Sequence, residues 1–180
     1  MLIKLVLIAV VLVVALSALV ASRPAHFSLT RSTTIAAPPA AVFAYVNDFH
    51  KWVAWSPWER MDSQLQRTYE GAPQGVGAVY SWKGNKQVGA GRMTILESVR
   101  EGLIRIRLEF LKPFQATNAA EFTFEPLPGA AVQTRVSWTM TGTNTFMFKA
   151  AGMVMNMDKL IGAQFEEGLA NLKNVVESPR

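Results

Sequence analysis

The sequence contains no cysteine and only two histidines, His26 and His50. Without cysteine there is no disulfide, no thiolate metal site and no cysteine nucleophile. No histidines and carboxylates are spaced to converge on a metal, so neither a metal nor another cofactor is expected. Ser56, Ser81 and Ser137 lack a G-x-S-x-G context, which argues against a hydrolase triad. Gly75-Val76-Gly77 and Gly89-Ala90-Gly91 lack the third glycine and the following helix of a phosphate loop. Charge is also undirected. Eighteen Lys and Arg against thirteen Asp and Glu give +5, but Arg60, Arg67, Lys83, Lys86, Arg92, Arg100, Lys112, Arg135 and Lys149 are scattered. Nucleic-acid recognition would want a cluster, so no nucleic-acid partner is expected. Finally, beyond residue 21 no run approaches the ~18 apolar residues of a further membrane span, which excludes a multi-pass protein.

What is present divides unevenly. Met1–Ala21 is apolar except for Lys4 and Ser17, while the remainder is about 45% apolar, an ordinary soluble-domain value. Leu5–Ala21 carries no charge and, as a helix, comes close to the ~30 Å hydrocarbon core. A cleaved signal peptide is the competing reading. The run exceeds the usual 7–15 residues of a signal core and ends without an A-x-A site, which favours an uncleaved anchor. The expected organisation is an anchor over residues 1–22, a linker over 23–26 and one domain over 27–180. The single-pass anchor would place that domain on the extracytoplasmic side.

Arg23-Pro24 breaks the first helix. Phe27–Ile35 alternates as a strand. Ala37-Pro38-Pro39 opens a short helix carrying Val42, Phe43 and Val46, and His50–Trp58 is a Trp-rich turn or short helix. Period-two segments follow at Gln66–Glu70, Ala78–Trp82, Gly89–Val99, Leu103–Phe110, Thr117–Glu125 and Val132–Thr141. Ile104, Ile106, Leu108 and Phe110 share one face, with Arg105, Arg107 and Glu109 on the other. Val132, Val136, Trp138 and Met140 form a second apolar face, with Thr134 among them. One buried and one wet face, joined by short turns, predict an antiparallel meander. From Met153 to Val176 the apolar period becomes three and four, which predicts one long amphipathic helix. The fold class is therefore α+β, with that helix buried on a curved sheet.

This order resembles the START-like (SRPBCC) superfamily with the helix-grip fold, in its polyketide cyclase/dehydrase-like branch. The residues that carry the resemblance are Ile35-Ala36-Ala37-Pro38-Pro39 with Val42-Phe43, Asn47-Asp48-Phe49, and Trp52-Val53-Ala54-Trp55-Ser56-Pro57-Trp58. Further on come Gly75-Val76-Gly77, Ser81-Trp82-Lys83-Gly84-Asn85, Phe122-Thr123-Phe124-Glu125, and Met157-Asp158-Lys159 through Phe165 to Lys173. It spans Phe27–Val176. It implies about seven strands gripping the long helix around an apolar cavity. It also implies a ligand among lipids, polyketides and other hydrophobic molecules, with cyclisation or dehydration catalysed in a minority of members. Fold alone does not choose among these.

The expected cavity lining is Trp55, Trp58, Tyr80, Trp82, Phe110, Asn118, Trp138, Met153 and Met157, with Asn118 as a polar anchor if it points inward. Trp52 and Trp138 are equally readable as core. Met155 joins the adaptable methionines. His50 could serve as an acid or base but has no evident partner, and no catalytic residue is assigned. Glu109, Glu121 and Glu125 read as a wet strand face, Glu166-Glu167 as the wet side of the helix, and Asp158-Lys159 as a surface pair. The function expected is a membrane-tethered module that binds a hydrophobic small molecule or lipid. The alternatives are a cyclase or dehydratase, or a protein-interaction module of the same fold.

Overall fold

The computed structural model describes residues 2–129, 132–154 and 156–178, without the side chain of Met157. Helix α1 (Leu2–Ala21) is 20 residues of mean hydropathy 3.0 and stands almost clear of the domain, with Val20 its buried residue. Strand β1 (His26–Ile35) follows, then α2 (Pro39–Val46), whose Pro39 sits in the first turn where a missing N–H costs nothing. Val42, Phe43 and Val46 are its buried face. Two 3-10 turns, Phe49–Ala54 and Pro57–Arg60, carry the tryptophan cluster. The Asp48 side chain starts the first by accepting the His50 N–H at 3.0 Å.

Strands β2 (Gln66–Gly71), β3 (Ala78–Lys83), β4 (Ala90–Val99), β5 (Leu103–Lys112), β6 (Ala116–Leu127) and β7 (Gln133–Thr143) form a meander, and β1 closes it beside β7. The order is β1-β7-β6-β5-β4-β3-β2, with every pair antiparallel. The alternation separates the faces as its period requires. Ile95, Ile104, Ile106, Phe122, Val136 and Trp138 are buried inside. Outside, Arg105 pairs with Glu97 and Glu121, Arg107 with Glu109, and Arg135 with Glu125. Thr134 lies on the inner side because its hydroxyl donates to the Ala37 carbonyl at 2.7 Å. Val132 departs from the expected apolar face. It precedes β7 and is exposed.

The C-terminal third is two helices where the periodicity predicts one: α3 (Phe146–Val154) and α4 (Met157–Glu177). Asn156 is the reason. Its backbone is extended and its side chain accepts the Lys159 N–H at 2.9 Å, capping α4. Phe165, Leu169 and Leu172 bury α4 against the core. The principal sheet contact of α4 is with edge strand β1. There Arg31 rises from the inner face to Glu166 (2.7 Å) and Asp158 (3.0 Å). Asp158 is thus tied to the sheet, whereas the sequence suggests a surface pair with Lys159. Gly162 makes this possible, since a Cβ there would stand 2.1 Å from the Arg31 guanidinium.

Candidate ligand-binding site

The expected lining residues fall into two groups. Trp55, Trp58 and Trp138 join Trp52, Phe122 and Phe165 in a continuous edge-on and stacked cluster under α4. Trp138 lies parallel to Phe165 at 4.0 Å. Trp52 and Trp55 are sealed, and their indole N–H groups donate to the carbonyls of Val46 and Tyr45. Those two bonds tie the tryptophan turn to α2, which is a packing role. Trp138 is different. It is equally buried, yet its indole N–H has no partner among the described residues, and neither does the buried Gln164 Oε1. Buried polar groups normally find partners, so these two atoms are exceptions within the core.

The second group is set by register. One row of inner-face residues runs Tyr80, Met93, Leu108, Asn118, Gly142, Phe27 across six strands, and the next runs Trp82, Gly91, Phe110, Ala116. Tyr80 and Met93 are buried, whereas Trp82, Leu108, Phe110, Asn118 and Phe27 are only half-buried. Trp82 stacks beside Tyr80 at 6.1 Å and meets Phe110 edge-on. Asn118 does point inward: its Nδ2 lies 3.9 Å from Met140 Sδ, and its side chain lies over Gly142 beside Phe27. A Cβ at position 142 would come within 2.1 Å of Asn118 Oδ1 and 2.7 Å of the Phe27 ring, so glycine makes room for both. Met153 lies in α3, half-buried, while Met155 and the Met157 side chain lie outside the described residues.

Behind this wall sits a polar cluster that nothing in the local sequence marks. The Glu59 side chain is 5% exposed. It accepts from Arg67 Nε at 2.6 Å and from the Tyr80 hydroxyl at 2.5 Å. The pair raises the Arg67 guanidinium above its usual value, and burial, then the bond to Glu59, raises the Tyr80 phenol strongly. Tyr69 lies beside Tyr80, and its outer side stacks on His50 at 4.1 Å. His50 does have a partner, Asp48 Oδ1 at 3.0 Å, but its side chain is 54% exposed. The ring sits at the rim of the fold, on the solvent side of Tyr69.

A depression of about 680 Å³ lies on the opposite, outer face of the sheet, over Ala119 and Thr141 and bordered by Arg105 and Arg107. The carboxylates already noted hold both arginines there.

A curved seven-stranded meander gripping a C-terminal helix, with an aromatic inner wall, defines the helix-grip class of domain. The chain belongs to the family described as polyketide cyclase / dehydrase and lipid transport, which matches residues 26–177. The fold is shared with the Zhui aromatase/cyclase from Streptomyces sp. R1128 (17% identity, TM-score 0.60, covering 84% of this chain and 94% of that one). It is shared also with Ara h 8.0201 (13%, 0.57, 86% and 99%) and with protein CV1439 from Chromobacterium violaceum (16%, 0.60, 84% and 98%). No curated protein sequence matches it.

Proposed function

We propose that this protein is a membrane-tethered module that holds a hydrophobic small molecule or a lipid against the inner face of its sheet, beside the N-terminal half of α4. The observation that carries this reading is the exposure gradient along the inner face. The row holding Ile95, Ile106, Ala120 and Met140 is sealed, while Leu108, Phe110, Trp82 and Phe27 one or two rows away stay half-exposed around Asn118. Burying such side chains under a ligand is worth roughly 25 cal/mol per Å² of apolar surface. Asn118 is the polar group on this open part of the wall that is available to orient it. The family match supports the reading, and α1 supplies the tether. A cyclase or dehydratase would draw on Glu59 and Tyr80. Both Glu59 oxygens are already engaged, which supports a structural role for that pair.

The test is native mass spectrometry of the full chain released from membranes into mild detergent. An adduct of lipid or amphiphile mass is expected, reduced several-fold in Leu108→Trp, which fills the space in front of Asn118. A chain without an adduct, and without one after incubation with fatty acids and phospholipids, would overturn the reading.

A further inference from the structure

The register places several separate features at one end of the molecule. His26 pairs with Thr143, Gly142 with Asn118, Phe110 with Ala116, and Ala90 with Lys112. The start of β1, the end of β7, the β5–β6 turn and the β3–β4 turn therefore share one end of the sheet. Helix α1 ends at Ala21 and β1 begins at His26, so this is also the end nearest the anchor. Helix α3 is fastened there. Asn144 N–H donates to the Ala25 carbonyl (2.7 Å), its side chain to the Pro24 carbonyl, and Lys149 Nζ to the carbonyl of Ala21, the last residue of α1.

None of the α3 side chains is buried, although the helix reads Phe-Met-Phe-Lys-Ala-Ala-Gly-Met-Val. Met147 is 61% exposed, with Phe146, Phe148 and Val154 open beside it. At the same end Leu111, in the last residues of β5, and Phe114 (60%), in the β5–β6 turn, are exposed. Arg23, Lys83, Lys86, Lys112 and Lys149 accompany them. The acids nearby are engaged, Asp62 by the Asn85 N–H and Asp158 by Arg31. Exposed apolar tips ringed by basic side chains, at the level where an apolar helix ends, fit a bilayer interface with anionic headgroups. The half-open wall of Trp82, Phe110 and Phe27 lies at this same end.

We propose that α3 and the β5–β6 turn form a second membrane contact, seated in the headgroup layer beside the anchor, so that the binding face opens onto the bilayer surface. This rests on the tethered-binder reading above and adds to it the route by which a ligand enters, directly from the membrane.

The absence of cysteine allows a direct test with the full chain. Single substitutions Met147→Cys, Phe114→Cys, Leu12→Cys and Val76→Cys are labelled with an environment-sensitive fluorophore and reconstituted in vesicles of phosphatidylcholine and phosphatidylglycerol. Val76 is exposed in the turn between β2 and β3, at the far end of the sheet. Probes at Met147 and Phe114 are expected to be quenched several-fold more than at Val76 by nitroxides on the headgroup or upper chain, and the probe at Leu12 by mid-chain nitroxides. Deep quenching at Leu12 with Met147 and Phe114 as open as Val76 overturns the second contact and leaves the tether standing. Dry but unquenched probes there mean that protein covers the face, which also overturns it. No lipid quenching at Leu12 removes tether and contact together. Full quenching with no bound amphiphile in the mass spectra upholds the contact and overturns the binding reading instead.

Discussion

At the scale of single residues, the decisive ones are those with charge on the wrong side of the sheet. Glu59 is buried behind the aromatic wall and is tolerated because Arg67 and the Tyr80 hydroxyl meet its two oxygens. Glu59→Gln would leave the Arg67 guanidinium half-buried without its counter-charge. Removing one partner of such a pair costs about 2–4 kcal/mol. A drop of that size should appear in chemical denaturation of the detergent-solubilised chain, followed by tryptophan fluorescence. A change below about 0.5 kcal/mol, the range of an ordinary surface substitution, would show that the cluster does not hold β2 to the tryptophan turn. Glu177 behaves differently because it lies near the surface. The Ala36 N–H at 2.6 Å, and then Lys173, hold its carboxyl below the ordinary 4.5. A depressed folded-state value means that its contribution is present above 4.5 and is lost as pH falls through the folded value. The Tm of the native chain should therefore fall in that acid window more steeply than that of Glu177→Gln. Parallel Tm curves would contradict the linkage.

At the scale of elements, the grip depends on how closely α4 can lie on β1. Gly162→Ala puts a methyl group where Arg31 passes to Asp158 and Glu166. The clash is with the flexible end of Arg31, so the guanidinium swings aside and loses partly exposed ion pairs worth about 1 kcal/mol, offset by about the same gain from alanine in a helix. Hydrogen exchange should therefore show α4 opening changed by less than about 1 kcal/mol, with β4–β6 unchanged. A loss of several kcal/mol in α4 would mean that the Arg31 bonds hold the grip. The strands were legible because each alternates cleanly: Ile104, Ile106, Leu108 and Phe110 against Arg105, Arg107 and Glu109 needs only a period of two. The break between α3 and α4 was not, because Met153 and Met157 keep helical spacing across it and the cap depends on the Asn156 side chain turning back. The site was legible in part. Aromatic residues on inner strand positions could be named, but whether Trp55 is sealed or Trp82 half-open depends on which strands α4 covers. Glu59 comes from the second 3-10 turn, Arg67 and Tyr69 from β2 and Tyr80 from β3, and they meet only when β2 folds over the turn, so no local motif announces them.

At the scale of the whole molecule, the question is what α1 is for. Its 20 residues, 18 of them apolar, make a helix of about 30 Å, long enough for a hydrocarbon core. A signal sequence would be removed, and with it the carbonyl of Ala21 that Lys149 meets. An anchor would remain, with Val20 buried where α1 packs against α3. The intact mass of the membrane-extracted chain decides between them: retention of residues 2–21 is expected, and loss of about twenty residues would make α1 an address only. Orientation follows from the same preparation. With Lys4 and the amino terminus held inside, the Val76→Cys chain should react with a membrane-impermeant maleimide in spheroplasts of a bacterial host before lysis. Labelling only after lysis would place the domain on the cytoplasmic side. If α1 is retained, the short link from Ala21 to His26 would keep the open end of the sheet against the membrane in either orientation, so the side on which the label appears would also identify the leaflet that α3 touches.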